Sequence, residues 1–485
     1  MNITIEKKNI LIPVITSLLV SFFILIKLPF VSFALVISII LSFVLTKKIE
    51  YGLYLILIWI PLQYLLTKYY YSILPNNFVW IDEVILAMMF IITLLKIVSS
   101  KTKLNISSLD IFVLIFIIIA VISAIINLVN PLTGAMGVRA FLQYYILYFV
   151  IKNIDLNTNV HKNLVLIILF TFAIQIPFSI YQFFTWSPRY LNPLTGYYVN
   201  KYGLSHYDSV VGTFGSGAAN NFGYLLVMII IMLLAAYIYL KNNKYLILAL
   251  FLIIPLVFSQ SRGTYIVAIF LLFYTFRKSI LNFKNISKLS ISIILIGILF
   301  SFCMGVYFKY SKYKFENLFN IEGIIKQQMT ISQASSGRII GIKIADDILS
   351  EKAPSRLFGV GPGMFSSTTG IFFSSPLYVE TVNKLRSNRA ITENDVVPMM
   401  TEYGYLGLIT FIIIIMSMIK KNIDIHHKTQ NKYLKAITSG GDGVLFSFLI
   451  GALLYKVWEI QYIAYYVWLY MGYIENMSLK ETGSK

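Results

Sequence analysis

The chain has 485 residues, of which 58% are hydrophobic and only 13% are charged. Soluble domains contain roughly 45–50% apolar and about 25% charged residues, so this composition excludes a soluble globular protein and predicts a membrane protein. The formal net charge of +19 is expected to orient helices and contact anionic lipid, and no nucleic-acid partner is expected. The single cysteine, Cys303, excludes a disulfide within one chain.

Apolar runs of the length needed to cross a bilayer recur along the whole chain. A helix crosses the hydrocarbon core with about 20 residues at about 1.5 Å each, which predicts about 14 spans. The sequence therefore predicts an all-α fold, a polytopic transmembrane helix bundle of about 12–14 spans with one large extracytoplasmic loop that contains short helices. The predicted spans lie at roughly 10–27, 29–46, 51–67, 80–98, 109–129, 137–151, 162–184, 219–240, 244–259, 263–276, 289–308, 397–419, 440–455 and 459–475.

Basic residues alternate between successive connections, and this alternation predicts the topology. Some connections carry lysine pairs such as Lys47 and Lys48, whereas the intervening ones carry single cations such as Lys27. Because Lys and Arg accumulate in cytoplasmic loops, both termini are expected to be cytoplasmic. The chain then divides into a bundle of the earlier spans with an outer loop at 185–218 (1–308), a large extracytoplasmic loop (309–396), and the C-terminal spans and cytoplasmic tail (397–485).

The polar segment at 309–396 contains two recognisable local patterns. Residues Arg338–Glu351 have apolar pairs at near-helical spacing, which predicts an amphipathic helix resting on the bundle. The run F-G-V-G-P-G at Phe358–Gly363 predicts a tight turn, because its glycines permit positive φ and its proline fixes φ. No strand precedes this run, so it is not a dinucleotide fingerprint. A structural turn is the simpler interpretation, and a substrate-binding turn is the alternative.

Three arginines are candidates for binding phosphate. Arg262 lies in S-Q-S-R-G-T at the predicted outer end between two spans, and Arg139 has a similar position. A charge at membrane depth costs at least about 2.5–3.5 kcal/mol, which makes both functional candidates, although each could instead reach the head groups. Arg338 begins the predicted loop helix, where a guanidinium meets a helix N-terminus; a solvated loop arginine is the alternative. Arginine stays protonated, so none of them is a base.

Acidic residues cluster immediately before the predicted span at 397–419. Of Glu393 and Asp395, one could act as a base while the other caps the helix, and a solvated capping cluster is the simpler alternative. Glu402 lies inside the following turns, where it needs a partner or water. His206 is the one histidine expected on the outer side, so no histidine metal site is predicted there.

Five motifs follow one another in a fixed order along the second half of the chain: Ser261–Arg262–Gly263, Arg338, Phe358–Gly363, Glu393–Asn394–Asp395 and Glu402–Gly407. Their order resembles the O-antigen ligase and polysaccharide polymerase superfamily (Wzy and WaaL types). The earlier stretches SSLDIFVLIF, GVRAFLQYYILYF and GTFGSGAANNFGYLL are similar too. Glu393 stands where ligases of this family usually have histidine, so the chain is more similar to the Wzy-type repeat-unit polymerases. Val210 and Val211 stand where an arginine is often found.

The resemblance implies a metal-independent glycosyltransferase of the GT-C-like type, without a cofactor, in a bacterial plasma membrane and with its active site on the outer face. Donor and acceptor would be oligosaccharide repeat units on polyprenyl diphosphate, polymerised into O-antigen or capsule. Flippase and chain-length regulator proteins are implied partners. The implied catalytic residues are Glu393, Asp395, Arg262 and Arg338, and the implied substrate contacts are Arg139, Asn394, Gly359, Gly361, Gly363, Glu402 and His206.

Two other functions stay open. A ligase would transfer a finished glycan to a lipid or protein acceptor. A polysaccharide flippase would predict interrupted helices in two similar halves, and the sequence has no evident internal repeat of that kind.

Overall fold

The computed structural model describes residues 41–69, 80–100, 104–186, 190–191, 198–199, 210–215, 219–276, 283–310, 338–351, 353–385, 389–392 and 394–483. Within these residues the protein is an all-α helical bundle, as the composition predicted. The strand pairing found there is a two-residue antiparallel pair, Tyr190–Leu191 with Tyr198–Val199.

The helices of the described residues are numbered here in chain order, and residues 41–47 precede them as a further helical segment. They are α1 (Glu50–Tyr64, continued by a π-helical turn at Leu65–Tyr69), α2 (Ile81–Ser100), α3 (Ser108–Ile126), α4 (Pro131–Asn153), α5 (Thr158–Trp186), α6 (Ala219–Leu240), α7 (Asn243–Phe251), α8 (Ile253–Phe258), α9 (Arg262–Phe276), α10 (Phe283–Tyr310), α11 (Arg338–Ser350), α12 (Ala353–Phe358), α13 (Thr368–Phe372), α14 (Pro376–Leu385), α15 (Arg389–Thr392), α16 (Val396–Lys428), α17 (Lys432–Leu454) and α18 (Gln461–Glu481).

Among the residues that the structure describes, eight helical segments are long and apolar enough to cross a membrane, and the chain is accordingly a multi-pass membrane protein. They are Glu50–Thr67, Ser108–Ile126, Pro131–Asn153, Asn159–Thr185, Ala219–Leu240, Ser290–Tyr310, Val396–Lys428 and Lys432–Leu453. Each coincides with a predicted span. The predicted span at 10–27, and most of that at 29–46, lie outside the described residues. The predicted span at 244–259 is two shorter helices, α7 and α8, and those at 80–98, 263–276 and 459–475 are helices outside this group of eight.

Helix α18 is buried on all sides and forms the centre of the bundle. Every residue from Tyr462 to Asn476 is buried. Such a helix must be apolar or aromatic all round, because no face of it meets solvent or lipid. Two of its tyrosine hydroxyls donate to side chains of neighbouring helices: Tyr465 to Oδ2 of Asp82 on α2 at 2.7 Å, and Tyr470 to Oδ1 of Asn422 on α16. The neighbouring α4 approaches so closely that a Cβ at Gly472 would lie 2.9 Å from Ile151.

The helices α11 to α15 lie between α10 and α16 and have a small hydrophobic core of their own. It contains Ala345, Leu349, Phe365, Ile391, Val397 and Met400. Two of these residues come from α11, which confirms the predicted amphipathic helix that begins at Arg338. Two others belong to the first turns of α16, so these short helices are packed onto one end of the bundle. That end is called the loop end below.

Candidate functional site

The backbone of α16 breaks at Gly404, close to its start. Gly404 has φ 69° and ψ −172°, which leaves the helical region and frees carbonyl groups of the preceding turn. The segment that follows α12 takes their place: the N–H of Val360 donates to Thr401 O at 2.8 Å, and that of Gly361 to Glu402 O at 3.1 Å. A Cβ at position 404 would lie 2.3 Å from Leu357 O, so this approach requires glycine.

The side chain of Glu402 binds the same segment from within the bundle. Its carboxylate is fully buried. It accepts hydrogen bonds from the backbone N–H groups of Gly363 at 2.6 Å, Phe365 at 3.1 Å and Ser367 at 2.9 Å. Backbone N–H groups of one segment that converge on the same oxygens form an anion-binding concavity. Here the anion is the protein's own carboxylate, which supplies the partner that the sequence required for Glu402.

The three glycines of F-G-V-G-P-G adopt conformations that other residues rarely reach. Their φ angles are 77° at Gly359, 110° at Gly361 and 72° at Gly363. Their N–H groups donate to Ser355 O, Glu402 O and the Glu402 carboxylate, respectively. These donors are therefore engaged within the protein, and the geometry favours the structural turn over a phosphate cradle. The segment 359–369 is called the glycine turn below.

A second buried carboxylate holds the far side of the glycine turn. Glu459 Oε2 accepts from the N–H of Thr368 at 2.8 Å and from its hydroxyl at 2.5 Å. Lys456 donates to Glu459 Oε2 at 2.9 Å and to Ser366 O at 2.7 Å. Lys456 and Glu459 lie where the predicted spans at 440–455 and 459–475 were divided, and the sequence analysis assigned them no role. The missed signal was an i, i+3 charge pair inside an otherwise apolar stretch.

Asn394 and Asp395 join the start of α16 to the end of α17. Asn394 Oδ1 accepts from Val397 N at 2.9 Å and so caps α16. Asp395 N donates to Ala452 O at 3.0 Å, and Asp395 Oδ2 accepts from the N–H groups of Val457 and Trp458, both at 2.9 Å. Burial raises the pKa of Asp395 well above its ordinary value of 3.8, although these two N–H donors act in the opposite direction. Its other oxygen, Oδ1, is buried and has no partner among the described residues.

The Ser-Arg-Gly motif lies beside the start of α6. Ser261 donates to Asn220 O at 3.2 Å, and a Cβ at Gly223 would lie 2.6 Å from Ser261 Cβ. One residue further along α6, Tyr224 receives a hydrogen bond from Ser447 Oγ at 2.6 Å. The same phenol packs on Gly451, next to the carbonyl that binds Asp395. The motif at Arg262, α6, α17 and the start of α16 are thus linked by direct contacts.

Two glutamines of α5 hold the G-T-F-G stretch that precedes α6. Gln182 Oε1 accepts from the N–H groups of Val211 at 3.1 Å and Gly212 at 2.9 Å, and Gln175 Oε1 accepts from Thr213 N at 2.9 Å. The sequence analysis missed both glutamines, although an amide inside an apolar helix has the same signature as a buried charge. The valines that stand in place of the expected arginine are fully packed, with Val210 and Val211 each 1% exposed.

Arg139 forms a bidentate ion pair with Glu83 of α2. Its Nε donates to Glu83 Oε2 at 2.7 Å and one Nη donates to Glu83 Oε1. The guanidinium carbon lies 4.2 Å from the centroid of the Trp80 ring. Beside this pair, α2, α3 and α4 enclose a cavity of about 960 Å³. Arg139 is linked to the glycine turn through α4, because a Cβ at Gly137 would lie 2.6 Å from Gly363 N.

The remaining predicted site residues are described only in part. Glu393 and His206 lie outside the described residues. Arg262 and Arg338 are the first residues of α9 and α11, and nothing is described of their side chains. Among the residues with described side chains, no group of three or more His, Cys, Asp or Glu is arranged to hold a metal ion.

The loop end therefore brings together motifs that are far apart in the chain. Contacts link α6 and the Ser-Arg-Gly motif to Asp395, Asp395 to the 457–459 segment, and that segment and Glu402 to the glycine turn. The sequence matches no protein-family model and no curated protein. The resemblance to the O-antigen ligase and polysaccharide polymerase superfamily consequently rests on the motifs quoted above.

Proposed function

We propose that this protein is a membrane glycosyltransferase that polymerises oligosaccharide repeat units carried on polyprenyl diphosphate. The observation that supports this most is the meeting of the motifs at the loop end, since residues as distant as Gly223 and Glu459 are joined by a continuous chain of contacts. The active site is assigned to that end, on the outer face of a bacterial plasma membrane. Its product is a surface polysaccharide such as O-antigen or capsule.

The two arginines are assigned to the diphosphate. Arg262 and Arg338 each stand at the first residue of a helix, α9 and α11. At that position the guanidinium and the positive end of the helix dipole act together on an anion. As the diphosphate leaves, its negative charge grows, and fixed donors of this kind stabilise the transition state. No metal is needed for this role.

The base is assigned to Glu393. Asp395 has one oxygen bound to two backbone N–H groups and is fully buried, which suits a positioning role. Glu393, two residues before Asp395, is the other carboxylate of the motif and is therefore assigned as the base. In the proposed step the acceptor hydroxyl attacks the anomeric carbon of the donor as the bond from that carbon to the diphosphate oxygen breaks. The hydroxyl proton passes to Glu393, and polyprenyl diphosphate leaves.

Incubation of the purified protein with one defined lipid-linked repeat, followed by sizing of the product, tests this proposal. Elongated glycan still attached to polyprenyl diphosphate is expected. Arg262→Ala, Arg338→Ala and Glu393→Gln should each lower the initial rate about 100-fold or more, the usual effect of removing one transition-state donor. Arg356→Ala is the matched control, because Arg356 is exposed on α12 and should leave the rate unchanged.

Three outcomes contradict the proposal. Normal elongation by both arginine variants removes the assigned role of the guanidinium groups. Transfer of the glycan only to an unrelated lipid or protein acceptor identifies a ligase. Movement of the lipid-linked repeat across liposomes without elongation identifies a flippase.

A further inference from the structure

The cavity between α2, α3 and α4 is an elongated apolar groove. Its lining on α4 extends from Pro131 to Ile146, which corresponds to about 22 Å at about 1.5 Å per residue. Small residues such as Ala87, Ala124 and Gly134 create the space. The polar side chains in the lining are Glu83, Arg139 and Gln143. Arg139 lies about midway along the α4 lining, with apolar residues on both sides of it. The groove thus has the polarity of a site for a lipid whose polar group lies beside Arg139 and whose hydrocarbon extends along the apolar lining.

The groove is continuous with the apolar surface of the bundle. Residues on its rim are strongly exposed, at 47% for Val121 and 66% for Ile125 of α3, and at 91% for Leu128, two residues beyond the end of α3. Both α3 and α4 are among the helices able to cross a membrane. In a bilayer these exposed side chains face hydrocarbon, so a lipid can enter the groove sideways and place its head group beside Glu83 and Arg139.

The Glu83–Arg139 pair in the groove has no net charge, because the carboxylate neutralises the guanidinium. Arginine has five N–H donors, and the pairing with Glu83 and a contact to Met136 Sδ use three of them. The Glu83 carboxylate accepts two hydrogen bonds from Arg139 and retains further lone pairs. Gln143 Oε1 also lines the groove, is buried, and has no partner in the part of the chain that the structure describes.

We propose that this groove binds a bilayer phospholipid with a primary ammonium head group, such as phosphatidylethanolamine. The phosphate accepts from the remaining N–H groups of Arg139, and the ammonium donates to the Glu83 carboxylate. A diphosphate carries at least two negative charges and would face that carboxylate, so the groove does not suit the lipid-linked substrate. The inference goes beyond the proposed function, because it assigns a structural lipid and not a reactant.

Lipid selectivity measured by native mass spectrometry tests the inference. The full-length protein is purified and exposed to an equimolar mixture of phosphatidylethanolamine, phosphatidylcholine and phosphatidylglycerol. We expect one phosphatidylethanolamine to be retained about tenfold more tightly than either other lipid, the ratio that a single charge-assisted hydrogen bond can supply. Phosphatidylcholine tests the ammonium contact, because its quaternary nitrogen cannot donate a hydrogen bond.

Two substitutions in the groove separate head-group recognition from non-specific binding of apolar chains. Glu83→Gln should shift the preference towards phosphatidylglycerol, because Arg139 then faces the anionic head without a competing carboxylate. Ala124→Trp should fill the groove and abolish retention, whereas Ile118→Trp on the exposed surface of α3, outside the groove, should not. If Ala124→Trp does not fold, fluorescence quenching shows whether the lipid occupies the groove. Phosphatidylethanolamine with brominated chains should quench Trp80, and the Trp80→Phe variant gives the background from the other tryptophans.

Equal retention of the three phospholipids overturns the inference, as does unchanged selectivity in Glu83→Gln. In a second mixture that contains phosphatidylethanolamine and a polyprenyl diphosphate in equal amounts, tighter retention of the diphosphate reassigns the groove to the substrate. None of these readouts depends on glycan elongation, so failure of this inference and failure of the proposed function are distinguishable.

Discussion

The two ends of the bundle satisfy buried carboxylates in different ways. At the end opposite the loop end, lysines neutralise them. Lys152 is fully buried and pairs with Asp110, while Glu475 pairs with Lys421 at 3.0 Å and accepts from the Tyr148 hydroxyl at 2.6 Å. At the loop end, Glu402 and Asp395 accept from backbone N–H groups, and Glu459 accepts both from Lys456 and from the N–H of Thr368. On α4 the two arrangements are about 22 Å apart, since Gly137 packs on the glycine turn and Lys152 is fifteen residues further along.

The two kinds of contact have different structural effects: ion pairs join helices, whereas carboxylates bound to backbone N–H groups define the path of a segment. An ion pair between two side chains holds two helices together and leaves the backbone of each unchanged. A carboxylate that accepts three N–H groups of one segment prescribes the path of that segment, because each N–H must point at the same oxygens. The end that contains Lys152 is therefore expected to contribute to stability. The loop end is expected to contribute both to stability and to the geometry of the candidate site.

The largest effect is expected from Lys152→Met. Removing one partner of a buried pair leaves the other uncompensated and costs about 3–5 kcal/mol of unfolding free energy. Thermal unfolding in detergent measures this loss, and it should be smaller in the double variant Lys152→Met with Asp110→Asn. Below the lowered transition, the chain length of any product should equal that of the unaltered protein. A changed chain length with unchanged stability would contradict the division of roles.

Glu402→Gln is expected to act on both stability and product. Glutamine keeps one carbonyl acceptor, but its NH₂ group meets a backbone N–H, so a buried donor loses its partner at a cost of about 1–3 kcal/mol. Because the glycine turn is no longer held, elongation should fall even at temperatures where the variant is fully folded. Glu380→Gln, at an exposed position on α14, is the control and should change neither property. Normal elongation by folded Glu402→Gln would show that this carboxylate does not shape the site.

Gly404→Ala is expected to destabilise the protein by at least about 1–3 kcal/mol, the usual cost of a non-glycine residue in such a conformation. The added methyl would also meet Leu357 O at 2.3 Å. Gly305→Ala is the matched control, since a Cβ there has no neighbour within 4 Å and alanine favours the helix. Equal unfolding temperatures for the two variants would mean that the backbone at Gly404 accommodates a side chain without loss of stability.

The smallest change in stability at neutral pH is expected from Asp395→Asn, which retains an acceptor for Val457 N and Trp458 N. Burial raises the pKa of Asp395 in the folded protein above its ordinary value of 3.8, so the folded state binds this proton more tightly than the unfolded state. Its contribution to stability is complete below pH 3.8 and is lost as the pH rises through the raised pKa. Unfolding temperatures measured across this range should depend less on pH in Asp395→Asn. An unchanged pH dependence would contradict the assigned burial.

Much of the bundle could be predicted because lipid-facing helices need continuous apolar runs. The eight segments that meet the length and composition criteria all fall on predicted spans. Helix α11 was predicted as well, since Ala345 and Leu349 recur at helical spacing and are buried. The central position of α18 was not predicted, because a helix buried among other helices and one facing lipid have the same apolar sequence.

The site was predictable as a set of motifs but not as a set of contacts. The need of Glu402 for a partner followed from the cost of a buried charge. That its partner is the glycine turn could not be inferred, since the donors are backbone N–H groups that every residue possesses. The Lys456–Glu459 pair was visible in the sequence as charges three residues apart, but its role was not, because Thr368, which donates to Glu459, and Ser366, whose carbonyl accepts from Lys456, are remote in sequence.

The order of the contacts along the chain has a consequence for biogenesis. The glycine turn is translated before Glu402, and Glu402 before Lys456 and Glu459, yet it is held by all three. During synthesis the glycine turn therefore lacks Lys456 and Glu459 until the last helical hairpin has entered the membrane. We expect nascent chains stalled before Glu459 to be cleaved by protease within 359–369, and released full-length chains to resist cleavage there.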